Sequence, residues 1–245
     1  MVKFASSVKT PVTKIHCASC SLNTLCLPLS LSKDDTNLLD SIVNRSRPIH
    51  KGDFVFKQGS PFKSLFAIRT GSVKTYAIMT DGEEQITGFH LASELIGLSG
   101  FNASLYPENA VALETTTVCE LPIEQLDSLS ESMPNLRKQI LSCMGQEIRH
   151  DQQLLLMLSK KSADERIAFF ILNISRRFQR RGFSATSFRL SMSRIDIANH
   201  LGMAVETVSR VFTRFQKAGF IQTEGKEIVI CNAHELSLLA GALPA

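Results

Sequence analysis

The chain has no long apolar run. Its purely hydrophobic stretches are as short as Leu154–Leu158, far below the roughly 20 residues that span a bilayer. The first sixteen residues hold no apolar segment, and Lys14-Ile15-His16 before Cys17 is not a small-residue cleavage site. Both absences predict a soluble cytoplasmic protein with no membrane partner. No His-Glu-x-x-His, Gly-x-Ser-x-Gly or phosphate-binding P-loop occurs, so nothing supports an enzyme, an iron–sulfur enzyme included. Internal repeats and low-complexity segments are missing too. Disulfides are not required: 245 residues, 44% of them hydrophobic, bury a core without staples. The six cysteines are therefore expected to be reduced. Cys143 and Cys231 stand in helix-like and strand-like apolar settings and read as ordinary buried thiols.

The other four cysteines form a pattern. Cys17-Ala-Ser-Cys20-Ser-Leu-Asn-Thr-Leu-Cys26 gathers three near the N-terminus, and Cys119 stands far off in a strand-like segment. Three local thiolates and one remote thiolate complete a set for zinc or for an iron–sulfur cluster. No His or Cys follows at zinc-ribbon spacing, which favours the cluster; structural zinc in the same four cysteines is the alternative. Either group would fasten the start of the chain to its middle. His16 is a conceivable substitute ligand and otherwise a loop residue. Ser21, beside Cys20, is placed to tune a bound group through a hydrogen bond.

The charge is uneven. Residues 159–230 carry 13 Lys and Arg against 6 Asp and Glu, while the rest carries 14 against 17. A basic C-terminal part beside a mildly acidic body is the footprint of a nucleic-acid-binding domain. Four parts are expected: a cysteine-bearing loop over 1–30, a β-barrel domain over 31–133, a long helix over 134–158, and a winged helix-turn-helix over 159–245. The fold class is α+β. Ser32 caps a short helix to Asn44. Short alternating runs at 54–56, 65–69, 73–78, 85–89, 111–113 and 118–121, punctuated by glycines and the Asp81-Gly82 turn, predict an antiparallel barrel or jelly roll over about 47–123. Met133-Pro134 opens a helix whose stripe Leu136, Ile140, Met144, Ile148, Asp151, Leu155, Leu158 suits packing against the barrel or a two-chain seam. Asp151 on such a seam faces its own symmetry mate, which predicts a marginal, switchable homodimer. Ser159-Lys160-Lys161-Ser162 reads as a hinge. A helix over 162–181, a strand near 188–192 and a hairpin of 220–223 with 227–230 frame the last domain.

Ser193–Arg210 has the layout of a helix-turn-helix, with Ala198 in the first helix, Gly202 in the turn and Val208 buried in the second. Val208, Phe212 and Phe215 form the inner face. Glu206, Ser209 and Arg210 lie at i, i+3 and i+4 on the other face, where Arg suits guanine O6/N7 and Glu suits cytosine N4 in double-stranded DNA. The plainer reading of that face is a solvated Glu–Arg pair. The barrel invites comparison with cyclic-nucleotide pockets, which hold the phosphate with an arginine. Here the segment reads Pro107-Glu108-Asn109-Ala110, and the acid would repel a phosphate; no cyclic nucleotide is expected.

These residues carry a resemblance. With the four cysteines, Gly82–His90, Leu158-Ser-Lys-Lys161, Ile174-Ser-Arg-Arg-Phe178 and Val205–Arg210, the chain resembles the CRP/FNR transcription regulators along nearly its whole length, above all their oxygen-responsive FNR/Anr type. The resemblance implies that Cys17, Cys20, Cys26 and Cys119 hold one oxygen-labile 4Fe–4S cluster per subunit. It also implies that the cluster favours a dimer binding palindromes like TTGAT-N₄-ATCAA, and that Asp151 disfavours the cluster-free dimer. Surfaces at Thr70, Ile78–Glu83 including Gly82, Thr115 and Phe183 would match contacts to RNA polymerase.

Overall fold

A computed structural model describes residues 15–241, so the first fourteen residues of the expected cysteine loop lie outside it. The described chain begins with two 3₁₀ turns, Cys17–Ser19 and Leu27–Ser30, and helix α1, Lys33–Ile42. The Ser32 hydroxyl accepts from the Asp35 amide at 3.1 Å, and Asp34 and Asp35 sit in the positive first turn of α1.

Eight strands follow: β1 Asn44–Arg45, β2 Phe54–Phe56, β3 Ser64–Thr70, β4 Ser72–Ile78, β5 Glu84–Leu91, β6 Leu95–Ile96, β7 Asn109–Ala112 and β8 Thr117–Pro122. They form two four-stranded antiparallel sheets, ordered β1-β8-β3-β6 and β2-β7-β4-β5. Gly71 turns β3 into β4 with φ +82°, and a Cβ there would collide with Thr116. At the β4–β5 hairpin Gly82 has φ +86°, and the Glu83 amide donates to Asp81 at 3.0 Å. Strands β1 and β6 are two residues long and carry no alternation that sequence can show.

Helix α2, Ile123–Ser132, leads into α3, Pro134–Lys160. The sequence reading had no α2. Its serines and acids hide a stripe in which Leu126 is fully buried. Helix α3 runs through Ser159 and Lys160, so only Lys161 and Ser162 separate it from α4, Ala163–Arg180. The Arg166 guanidinium fixes this joint, donating to the carbonyls of Leu158, Lys161 and Leu201 at 2.7, 3.0 and 3.0 Å. Strand β9 is Ser187–Arg189, shorter than the run to Met192 that the sequence suggested. Then come α5 Arg194–His200, α6 Val205–Lys217, β10 Ile221–Glu224, β11 Glu227–Ile230 and a closing helix α7, Ala233–Ala240, which the sequence reading lacked. The sheet order β10-β11-β9 makes the wing.

The winged helix is packed onto the barrel. Tyr76, Ile86 and Phe89 of the barrel share one buried cluster with Phe170, Ile197, Leu201 and Phe212. Lys74 pairs with Asp196 at 2.8 Å. Asn199 accepts from the Ile86 amide at 2.6 Å and donates to the Glu84 carbonyl at 2.7 Å. Arg177 and Arg181 both turn inward onto Glu94, so they are not among the free cations of the basic stretch 176–181. Burial alone would raise the Glu94 carboxyl, yet the two guanidinium groups hold it down at about 2. A second cluster under the other sheet joins Leu27, Leu39, Leu65, Leu121 and Leu126 to Leu136 and Ile140 of α3.

Candidate metal centre and nucleic-acid interface

The cysteine loop is wound by its own backbone. The Cys20 amide donates to the Cys17 carbonyl at 3.2 Å, Asn23 to Cys20 at 3.1 Å, Cys26 to Leu22 at 3.0 Å and Leu29 to Cys26 at 3.0 Å. A 3₁₀ turn has three residues per turn, so Cys17 and Cys20 are stacked on one side of it. Cys119 is supplied by β8, where it faces Ala67 of β3 on one side and Arg45 of β1 on the other. All four cysteines line one cleft of about 460 Å³, solvent space included, walled by Leu27, Leu39, Val43, Ala67, Ile68 and Leu121 with Arg69 and Asn23 at its polar side. None is in a disulfide.

Cys17, Cys26 and Cys119 are poorly placed to ionise unaided. Burial, then the Asp40 carboxylate, pushes Cys17 up to about 12; burial likewise pushes Cys26 up to about 12 and raises Cys119. Thiols of this kind give up their protons when a metal takes the place of each proton. Among the described residues no three His, Cys, Asp or Glu side chains converge tightly enough to hold a single metal ion. The four thiols line one shared space, and four soft donors around one cavity suit a thiolate-bound group.

Asp40 organises the near side of the cleft. Its carboxylate accepts the Cys17 amide at 2.6 Å and the His16 ring at 2.8 Å, and it pairs with Arg45. Burial alone would raise Asp40, but these donors, the Cys17 amide first, bring it down to about 2. Arg45 also donates to Cys17 Sγ at 3.8 Å. His16 is thus committed to Asp40 in this arrangement, and Ser21 is exposed. Sequence reading missed Asp40 and Arg45, since neither short strand β1 nor its register with Cys119 has a sequence signal. Cys143 is half-buried beside Met144 in the same apolar cluster. Cys231 is exposed, contrary to the expected burial, because it falls just past the end of β11.

On the second helix of the helix-turn-helix, Val208, Val211, Phe212 and Phe215 are buried, and Glu206, Ser209 and Arg210 are exposed. No ion pair joins Glu206 to Arg210 among the described residues, while the Ser209 hydroxyl donates to the Val205 carbonyl at 3.0 Å. The helix before it is fixed by a capping box: Ser193 and Asp196 exchange side-chain and backbone hydrogen bonds. Gly202 takes φ +59° at the turn.

The expected seam residues of α3 are distributed unevenly. Leu136 is fully buried and Ile140 is 8% exposed, both in their own chain's core, with Met144 and Leu158 half-buried. Ile148 and Leu155 are 57% and 67% exposed, and Asp151 lies open between them. Leu141, unremarked in the sequence, is 61% exposed and stands seven residues before Ile148, as Ile148 does before Leu155. Thr70, Ile78, Gly82, Glu83, Thr115 and Phe183 are all exposed. Glu108 accepts from Thr87 at 2.6 Å and from Ser99 at 2.9 Å, so the acid at the arginine position is held by hydroxyls. No helix among the described residues is long and apolar enough to cross a membrane.

Comparison with known proteins agrees with this architecture. Residues 46–133 match the cyclic nucleotide-binding domain family and residues 165–239 the Crp-like helix-turn-helix domain family. The chain is 61% identical over 226 residues to the transcriptional activator protein anr of Pseudomonas aeruginosa, covering 92% of this chain and 93% of that one. It is 52% identical over 227 residues to the fumarate and nitrate reduction regulatory protein of Escherichia coli, covering 93% and 91%. Among solved structures, FixK2 from Bradyrhizobium japonicum matches with a TM-score of 0.76 at 27% identity, covering 83% of this chain and all of that one. The relatives are regulators of transcription rather than enzymes. The chain belongs to the CRP/FNR family of transcription regulators.

Proposed function

We propose that this regulator is oxygen-responsive, holding one 4Fe–4S cluster per subunit through Cys17, Cys20, Cys26 and Cys119, and that its dimer binds palindromic DNA through Glu206, Ser209 and Arg210. One observation carries the reading: four thiols from a loop and a distant strand line one shared apolar cleft. The similarity to proteins named anr and fumarate and nitrate reduction regulator supports the oxygen-linked role.

The cluster would supply redox lability, since oxygen oxidises and dismantles such centres. The chain's own contribution is mechanical. Cys17, Cys26 and Cys119 pack in the same apolar cluster as Leu27, Leu136 and Ile140. The position of the cysteine loop is therefore felt at the start of α3, through Leu27. Further along α3, Leu141, Ile148 and Leu155 offer an apolar seam to a second copy, and Asp151 opposes it. A small shift at the start of such a marginal seam decides between monomer and dimer. The exposed positions at Thr70, Ile78–Glu83, Thr115 and Phe183 are left for RNA polymerase.

Iron and sulfide analysis with a visible spectrum, before and after air, tests the reading. Protein purified without oxygen should contain about four iron and four sulfide per chain and bleach in air. A colourless protein with one zinc per chain would establish the structural-zinc alternative.

A further inference from the structure

We propose that Arg45, held by Asp40, is the positioning residue of the cysteine site: from a strand position opposite Cys119 its guanidinium reaches the N-terminal cysteine loop and sets a positive charge against the ligand thiolates. The inference rests on the cluster reading above and goes one step beyond the ligands.

Three observations meet at this residue. Strand β1 is only Asn44–Arg45, and its register puts Arg45 directly opposite Cys119. From there the side chain reaches Cys17, with its terminal nitrogen 3.8 Å from Sγ. Arg45 thus touches the two parts that must be joined, the loop and the strand. Asp40 holds both: it pairs with the guanidinium and accepts the Cys17 main-chain amide at 2.6 Å. Finally, the buried Arg45 Nε has no hydrogen-bond partner among the described residues. Leaving a buried donor without a partner costs stability. A guanidinium with a spare donor and one nitrogen already on Cys17 Sγ is suited to a site whose ligands carry negative charge. Arg69 lines the cleft itself, but no described hydrogen bond joins it to a cysteine.

One terminal nitrogen of Arg45 serves both Asp40 and Cys17 while the other donates to the Val43 carbonyl at 3.4 Å; lysine keeps the charge but offers one nitrogen where the guanidinium uses two. Groups that orient metal ligands typically contribute ten- to a hundredfold in metal retention. Arg45→Leu should therefore lose iron to a ferrous chelator, without oxygen, about tenfold faster than the parent. Its cluster should also be harder to reduce, since a nearby positive charge is gone. Arg45→Lys should keep the parent's reduction potential and lose iron at an intermediate rate. Asp40→Asn should shift the potential the opposite way while also loosening the loop. Far-ultraviolet circular dichroism of each cluster-free variant checks the fold, and if Arg45→Leu does not fold, the Lys and Asn variants carry the test. If the parent takes up no iron and sulfide, the cluster reading falls and takes this inference with it. If the parent loads and Arg45→Leu matches it in iron loss and potential, Arg45 has no such role and the cluster reading stands. Faster iron loss with an unmoved potential and no rescue by lysine would also overturn the charge role.

Discussion

The winged helix and the cysteine cleft are finished to different degrees. In the winged helix, Ser193 and Asp196 cap α5 reciprocally, Lys74 neutralises Asp196 from the barrel, and Asn199 completes the edge of β5. Glu94 absorbs two arginines. In the cleft, burial pushes Cys17, Cys26 and Cys119 away from the ionised form in which thiols bind metals, and Arg45 keeps a buried nitrogen without an acceptor. One region is satisfied by its own chain, and in the other the thiols favour the protonated form. With the proposed cluster bound or lost, the second region would have two states, and such a region can report on surroundings that remove the cluster.

Removing the cluster's ligands should break that contrast most completely. Serine is a hard, poorly ionised replacement for a soft thiolate, so Cys17→Ser, Cys20→Ser, Cys26→Ser and Cys119→Ser should each abolish the anaerobic chromophore. Cys143→Ser and Cys231→Ser should keep it. A normal spectrum for Cys119→Ser would show that loop and strand are not joined by a shared group.

The satisfied region can be made unsatisfied by one change. Glu94→Ala leaves Arg177 and Arg181 inward-facing without a counter-charge. The cost should be about 3 kcal/mol, the low end for a broken buried pair, because Glu94 retains some access to water. Urea unfolding measures it. Acid should act in the same direction. The Glu94 carboxyl is held at about 2 in the fold against an ordinary 4.5, so its contribution is complete above about pH 4.5 and is lost as pH falls toward 2. A parent and Glu94→Ala that unfold at the same urea concentration at pH 7 would show the clasp to be idle.

Much of this contrast was legible in the residues. The cysteine spacing, the Asp81-Gly82 turn, Gly202 and the Val208–Phe212–Phe215 face each act locally, within one turn or one helix. What was hidden depends on partners distant in sequence. Four arginines at 176, 177, 180 and 181 look alike in a basic stretch, and only Glu94 distinguishes 177 and 181. Arg45 acquires its meaning from a two-residue strand opposite Cys119. The stripe on α3 divides for a similar reason. Begun at Leu136, it follows the helix's period, but the subunit's own core claims Leu136 and Ile140 and leaves Ile148 and Leu155 exposed, as is Leu141.

The recognition face sharpens the comparison on the winged-helix side. Arg210→Ala should cost about 1–3 kcal/mol on the palindrome and much less on random DNA, measured by fluorescence anisotropy. Arg176→Ala or Arg180→Ala, both exposed, should instead weaken the two alike and lower the salt slope by about one. Equal losses on both DNAs for Arg210→Ala would make it a phosphate contact.

The smallest effect is expected where the two regions communicate, on α3. In the isolated subunit burial, then Asp151, raises Glu147 to about 7, and burial with Glu108 raises Asp151. This is an acidic patch that the fold already resists charging. A second copy packed along Leu141, Ile148 and Leu155 brings another such patch close, at a cost of about 1 kcal/mol for one exposed like-charge pair. Asp151→Ala removes that pair and should let cluster-free protein dimerise in air, while Ile148→Glu adds charge to the seam and should keep even cluster-bearing protein monomeric. The pH dependence has a definite sign. A carboxyl raised from 4.5 to about 7 opposes the fold and the seam when ionised, so the penalty is full above pH 7 and fades as pH falls below it. Sedimentation of the cluster-free parent should show more dimer at pH 6 than at pH 8, and the difference should shrink in Asp151→Ala, because the neighbour that helps raise Glu147 is gone. If Asp151→Ala stays as monomeric as the parent at both pH values, Asp151 is only a solvated helix residue. The threshold between the two states would then have to lie nearer the cysteine loop, where Leu27 meets Leu136.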